Sequence, residues 1–280
     1  AKQFAWIVPF PSEPEIAKEE NALFKELFDY VEARSRHIGH DHKANGAAGN
    51  SEPATDAEKV EVISRQIVGD FDIAVVRENA EGGLNPWLEE EGFQTLEDAE
   101  DVLKFYREKG YVFACMKVSS EALASESSVE SHPLRFTFKT GGRDGIYFPM
   151  KMTGLQSEPF DVNLYVFYGA WLNDKLSPFG YKHRGFVLRY RDWDSPKCKA
   201  NAGKAWSLPE EDPFLASQSH GLRRVRKLFQ KLHPGERYYL TNIQGIHLDP
   251  AEVRVWKDDL WLFPYYTNRD MVPYDTREGG

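Results

Sequence analysis

The stretch Tyr111-Val112-Phe113-Ala114-Cys115-Met116-Lys117-Val118 decides the fold class. It is short, apolar and rich in β-branched and aromatic residues, and Gly110 sets it off from what precedes, so it reads as a buried strand. Further strands follow almost without helix: Leu134 to Lys139, Ile146 to Met152, Phe160 to Phe167 and Phe186 to Arg191. Several alternate apolar with polar residues, as half-exposed antiparallel strands do. Before it the pattern is helical. Leu84 to Glu91 is closed by Gly92, and Leu96 to Lys109 is opened by Thr95 with Asp98 and closed by Gly110. The second helix is predicted to bury Ala99, Val102, Leu103 and Tyr106. Helices clustered early and strands clustered later define an α+β protein, mainly antiparallel sheet with helices packed on it.

Working outward, Phe4 to Val8 reads as a first strand, with Pro9 and Pro11 ending it. Ser12 and Glu15 stand at capping-box spacing, which predicts a helix carrying Leu23, Phe24, Leu27, Phe28 and Val31 on one face and ending near Arg36. Residues 37 to 57 have no apolar period and read as a long loop. Val60 to Arg77 reads as a hairpin or bulged strand about a turn at Gly69-Asp70. Gly141 to Gly145 reads as a hairpin turn between two strands. The final hundred residues show few regular patterns beyond a basic amphipathic helix, Leu222 to Leu232, and an aromatic tail, Trp256 to Tyr274. The expected organisation is an α+β domain over residues 1–174 and an irregular, aromatic-rich C-terminal extension or small lobe over 175–280. Trp6 and Trp87 are expected core anchors.

The composition narrows the classes. A net charge of -9, from 35 Lys and Arg against 44 Asp and Glu, supplies no global field for nucleic acid. No run approaches the roughly 20 apolar residues that span a bilayer. Two cysteines, Cys115 and Cys198, are too few for a disulfide scaffold and lack the paired spacing of a zinc site. Cys115, inside its apolar run, reads most simply as a small buried hydrophobe, the alternative being a bridge to Cys198. The chain begins at Ala1, and a small first residue ahead of a strand suits cleavage of a signal peptide, as it equally suits a truncated sequence.

Six phrases occur in order. They are Phe4-Ala5-Trp6-Ile7-Val8-Pro9-Phe10-Pro11, Gln66-Ile67-Val68-Gly69-Asp70-Phe71-Asp72 and Trp87-Leu88-Glu89-Glu90-Glu91-Gly92-Phe93, then Tyr106-Arg107-Glu108-Lys109-Gly110-Tyr111-Val112-Phe113, Pro133-Leu134-Arg135-Phe136-Thr137-Phe138 and Ile146-Tyr147-Phe148-Pro149-Met150. Together they make residues 4–170 resemble the bacterial family catalogued as domain of unknown function 2330. The resemblance implies an exported protein, placed in the periplasm or at the cell surface, and implies no assigned activity.

Three groups of side chains carry chemistry. His37, His40, Asp41 and His42 put three imidazoles and a carboxylate within six residues, donors that suit a divalent metal; the plainer reading is a solvated polar loop. Arg223, Arg224, Arg226, Lys227 and Lys231 stand among Leu222, Val225, Leu228 and Leu232, a face for an acidic partner or lipid headgroups, or a solvated helix with its stripe on the protein. Trp256, Trp261, Phe263, Tyr265, Tyr266 and Tyr274 suit sugar stacking or a partner's apolar patch, and equally the protein's own core. There is no Gly-x-Ser-x-Gly elbow and no helix-opening phosphate loop. The expectation is a non-enzymatic, extracytoplasmic binding protein that partners another protein, as an accessory subunit of a surface or membrane-associated assembly, with no resident cofactor. Its rivals are a metal-binding protein or metal-dependent enzyme using His37, His40 and His42, and a carbohydrate or cell-wall binder using the C-terminal aromatics.

Overall fold

A computed structural model of the chain describes residues 5–32, 59–119, 132–142, 145–168, 186–191, 222–233 and 239–262. These fall into two compact units. The first takes the described parts of Ala1–Glu20, Asn45–Glu158 and Asp249–Asp259, and the second those of Asn21–Ala44, Pro159–Leu248 and Leu260–Gly280. Each unit draws on chain from both sides of residue 174.

In the first unit, β1 (Ala5–Phe10), β3 (Val60–Val68), β4 (Phe71–Glu78) and β5 (Val112–Val118) form one antiparallel sheet in the order β1-β5-β4-β3. The run that decides the fold class is one of its two central strands. Its register, Val76↔Phe113, Ala74↔Cys115 and Asp72↔Lys117, puts alternate residues on opposite faces. On one face Phe10, Phe71, Ile73, Val75, Val112, Ala114 and Met116 form a core with Ile16 and with partly buried Leu134, Phe136 and Phe138. The last four belong to the pairing of β2 (Glu15–Lys18) with β6 (Leu134–Thr137) and its continuation. The opposite face carries Val76, Ala74, Phe113 and Cys115, buried at 1% exposure or less. It is covered by α2 (Leu84–Glu90) and α3 (Glu100–Glu108), the Tyr106 ring standing edge-on to Phe113 at 5.8 Å. Ala99, Val102, Leu103 and Tyr106 are buried as their helical spacing predicts.

The Gly69-Asp70 turn joins β3 to β4. Gly69 has φ +59, and a Cβ there would lie 2.1 Å from His132 Nε2. That nitrogen accepts the Asp70 N–H at 3.1 Å, while Nδ1 faces the Pro133 carbonyl at 3.2 Å, so the neutral ring carries its proton on Nδ1. Ser119 N donates to the Asp70 carbonyl at 2.8 Å. The turn is thereby tied to both β5 and the approach to β6.

Several local expectations are corrected. Glu15 lies in β2 and not in a capping box; Ser12 Oγ instead donates to the Lys139 carbonyl (3.0 Å) and accepts its N–H (2.9 Å). Prolines at 9, 11 and 14 hold this segment extended, so the helix waits until α1 (Ala22–Glu32). The helix expected from Leu96 begins at Glu100, because Asp98 adopts φ +46 and its carbonyl is held by the Arg254 guanidinium, which also clasps Asp101. The strand expected over Ile146 to Met152 is β7 (Ile146–Phe148) followed by a 3-10 helix (Lys151–Leu155). Glycines 141 and 142 do not close a hairpin, since β6 pairs with β2 and not with β7. Trp6 is 40% exposed and therefore no core anchor, whereas Trp87 is one.

In the second unit, β8 (Phe160–Tyr168), β10 (Tyr239–Leu248) and β9 (Phe186–Arg191) form an antiparallel sheet in that order. Its ten-residue central strand lies where the sequence shows few regular patterns. Leu240 pairs with Phe167 and Asn242 with Tyr165, so these four share a face. On that face Leu23, Leu27, Tyr30 and Val31 of α1 meet Val225, Leu228 and Phe229 of α4 (Arg223–Leu232), together with Leu222. Phe24 and Phe28, expected in the α1 stripe, are 57% and 48% exposed, while Tyr30 takes a buried place. Glu26 accepts the N–H groups of Arg224 (2.8 Å) and Val225 (3.1 Å), capping α4. The chain continues through α5 (Pro250–Arg254), in the first unit, to β11 (Leu260–Leu262), in the second.

Candidate functional site

The densest polar cluster in the first unit centres on Asp259, which is 5% exposed. Its Oδ1 accepts from Tyr106 Oη, Met150 N and Lys151 N, each at 2.9 Å, and its Oδ2 accepts from Tyr147 Oη at 2.9 Å. Burial pushes the Asp259 carboxyl pKa up, with all four donors pulling the other way. Burial likewise lifts both tyrosines well above their ordinary range, and the neighbouring Asp259 charge adds to it. Lys151 is 6% exposed; its Nζ donates to the carbonyls of Arg254 (2.8 Å) and Trp256 and stands 4.8 Å over the Phe105 ring. Desolvation lowers its pKa, against the attraction of Asp259.

This chemistry, two phenols, a carboxylate and an amine, is the kind that catalysis uses. Its geometry is that of a closed knot. Each carboxylate oxygen is occupied by protein donors, and the ammonium is held by main-chain carbonyls. The cluster fastens residues 254–259 to α3, β7 and the 3-10 helix, and Gly154 shows how close the approach is: a Cβ there would lie 2.7 Å from Arg254 N.

A second knot serves α2. Glu78, 2% exposed at the end of β4, accepts the N–H groups of Gly83 and Leu84 at 3.0 Å and pairs with Arg107 Nη1 at 2.8 Å. It thus satisfies the helix start, which has no capping side chain of its own. Arg107 also pairs with Glu100 at 2.8 Å, and these bonds outweigh the burial that opposes its charge. Cys115 is fully buried, and desolvation drives its thiol pKa up, opposite to what a nucleophile needs.

Arg223, Arg224 and Lys227 are exposed on α4, whose Val225 is buried beneath them. Trp261 is 1% exposed in β11, which corrects its assignment to a partner-binding surface, and Trp256 is half-buried. Tyr265 and Tyr266 lie outside the described residues, as do His37, His40, Asp41 and His42. Among the described residues no three His, Cys, Asp or Glu side chains group as metal ligands. None of their helices is long and apolar enough to cross a membrane.

The outer edges of the four-stranded sheet are the remaining feature. Among the described residues β3 has one sheet neighbour, β4. Val62 faces Val76 and Ser64 faces Val75, so Ile63 is an extra residue, a bulge. The bulge brings Val62, Arg65 and Ile67 to one side of the sheet, and Val62 and Ile67 are 46% and 59% exposed. Sequence reasoning finds this strand but not its edge position, which depends on the pairing order of strands distant in the chain.

The fold and its two sealed polar knots define an α+β protein on antiparallel sheets with a long, partly apolar strand at one rim. The chain belongs to the family described as an uncharacterized protein conserved in bacteria (DUF2330), which it matches over residues 1–252. The match continues beyond the span of the six sequence phrases and takes in the β8-β10-β9 sheet. No curated protein and no solved structure matches the chain.

Proposed function

We propose that this protein is a non-enzymatic, extracytoplasmic binding protein, an accessory subunit that joins a surface or membrane-associated assembly by accepting a strand from a partner polypeptide. The observation that carries the reading is the β3 edge. A strand at a sheet rim offers unpaired N–H and C=O groups to a partner's backbone, and side chains beside it give the pairing specificity. Val62 and Ile67 supply an apolar pair there, with Arg65, tied to Glu91 at 2.7 Å, between them. The bulge and the Glu61–Arg77 ion pair (2.9 Å) guard the start of β3, leaving Ser64 to Val68 as the straight segment for backbone pairing, with the Val62 side chain just upstream on the same side as Ile67. The polar clusters support a scaffold role, since Asp259 and Glu78 are engaged by the protein itself. The extracytoplasmic placement rests on the resemblance to an exported family.

The test is a double variant, Val62→Lys with Ile67→Lys, expressed in the native cells. Both side chains are exposed, so the fold should lose less than about 1 kcal/mol. Co-purification of partner chains with the wild type and their loss with the variant is the expected result. Partners retained at wild-type yield would reject the β3 edge as the docking site.

A further inference from the structure

The second unit offers a different surface, independent of the β3 edge. We propose that the outer face of α4 docks on an anionic phospholipid surface, with the exposed Phe24 and Phe28 on the far side of α1 at the rim of the same helix layer. Residues 222–233 contain Arg223, Arg224, Arg226, Lys227 and Lys231 and no acidic residue, in a chain whose net charge is -9. The positive charge is therefore concentrated against the trend of the whole molecule. Its placement is equally one-sided. Leu222, Val225, Leu228 and Phe229 turn toward the sheet, and at 100° per residue Arg223, Arg224, Lys227 and Lys231 fall on the opposite arc. All four are exposed.

Two of the three acidic groups of the neighbouring helix are committed elsewhere, and the third, Glu32, is its last residue. Glu26 caps the start of α4, and Asp29 is paired with Lys25 at 2.7 Å. Because α1 and α4 cover the same face of the β8-β10-β9 sheet, they form one outer layer. At the rim of that layer α1 adds Phe24 and Phe28, one turn apart, among the most exposed large apolar side chains described, and about 160° around the helix from Glu26, away from α4. Basic side chains for headgroup phosphates with aromatic rings for the acyl boundary are what an interfacial helix layer needs. An acidic protein would satisfy the charges but would leave the two phenylalanines unexplained. Arginine and lysine mixed along an arc of about 12 Å, eight rises of about 1.5 Å from Arg223 to Lys231, suit a diffuse field of phosphates better than a single bidentate ligand.

Sedimentation of the full chain with vesicles tests this. Half phosphatidylglycerol, half phosphatidylcholine vesicles should carry the protein down, and pure phosphatidylcholine vesicles should not. Each basic group near an anionic surface contributes enough that neutralising three, Arg223→Gln, Lys227→Gln and Lys231→Gln, should weaken partitioning about a hundredfold. Phe24→Ser with Phe28→Ser should also weaken it, with the far-ultraviolet circular dichroism of both variants unchanged. Protein left in the supernatant with phosphatidylglycerol vesicles would overturn the proposal. So would equal sedimentation of the triple variant, or capture by poly-glutamate beads while the anionic vesicles stay bare, which would assign the face to an acidic protein.

Discussion

Replacing Asp259 by alanine and, separately, by asparagine weighs the buried knot directly. Alanine strands Tyr106 Oη, Met150 N and Lys151 N, while Tyr147 Oη keeps the Pro9 carbonyl at 3.2 Å. A buried donor left without its acceptor costs about 1 kcal/mol or more, so three give a loss of about 3–4 kcal/mol. The low end of the per-bond range is appropriate because the space vacated by a carboxylate can admit a water. Asparagine behaves differently. Its Oδ1 can keep the three bonds now made to Asp259 Oδ1, and its Nδ2 can donate to Tyr147 Oη, so the cost should stay below about 1.5 kcal/mol. The pH dependence follows from the sign of the shift. Burial raises the folded-state pKa of Asp259, so the native protein holds this proton more tightly than the unfolded chain. Its contribution to stability is most favourable below the ordinary carboxyl value and declines as pH rises through the folded-state value. The amide of the Asp259→Asn variant cannot ionise, so the stability of that variant relative to wild type should improve across the same window. Urea unfolding followed by tryptophan fluorescence at several pH values reads both effects. An Asp259→Ala cost under about 1 kcal/mol, or Asp259→Asn as costly as alanine, would refute the knot as the anchor of residues 254–259.

Other outcomes follow from single contacts. Gly154→Ala pushes a Cβ against the Arg254 backbone, which cannot swing aside as a flexible side chain could, and should cost about 2–3 kcal/mol in thermal or urea unfolding. Gly69→Ala should cost about 2 kcal/mol or more, from the left-handed backbone and the clash with His132; pairing it with His132→Ala should recover part of the loss. Glu78→Ala should cost about 3 kcal/mol by removing the α2 cap and one Arg107 partner, whereas Glu78→Gln, which keeps an oxygen for Gly83 and Leu84, should cost about half as much. Cys115 should resist iodoacetamide in the native protein and react in denaturant, read on its own peptide by mass spectrometry.

The sequence makes legible those elements whose signal is local. The α2 and α3 core residues, the β3-β4 hairpin and the buried β5 strand all follow from periodicity and turn chemistry within about ten residues. Ser12 and Glu15 mislead because capping-box spacing is also met by chance, and three nearby prolines hold the chain extended instead. Phe24 and Phe28 fit a helical stripe as well as Tyr30 does, and only the direction of the sheet beneath α1 decides which residues are buried. β10 escapes sequence reading because its polar residues Thr241 and Asn242 are 2% and 0% exposed, and Asn242 Nδ2 is satisfied by Asn163 Oδ1 and the Leu164 carbonyl. Asp259 is invisible for a related reason. In Lys257-Asp258-Asp259 it looks like any solvated acid, and its four donors come from residues more than a hundred positions away. The basic α4 helix is fully legible, as is the helix stripe that buries its other side.

Binding to a partner is the claim on which the functional account stands, and the most direct measurement is the native mass of the untagged protein. It should be extracted gently from its own cells, in soluble and membrane fractions, with co-migrating chains identified by mass spectrometry. The account predicts a stable complex well above the mass of a single chain, containing at least one other polypeptide. A lone monomer in every fraction would contradict it.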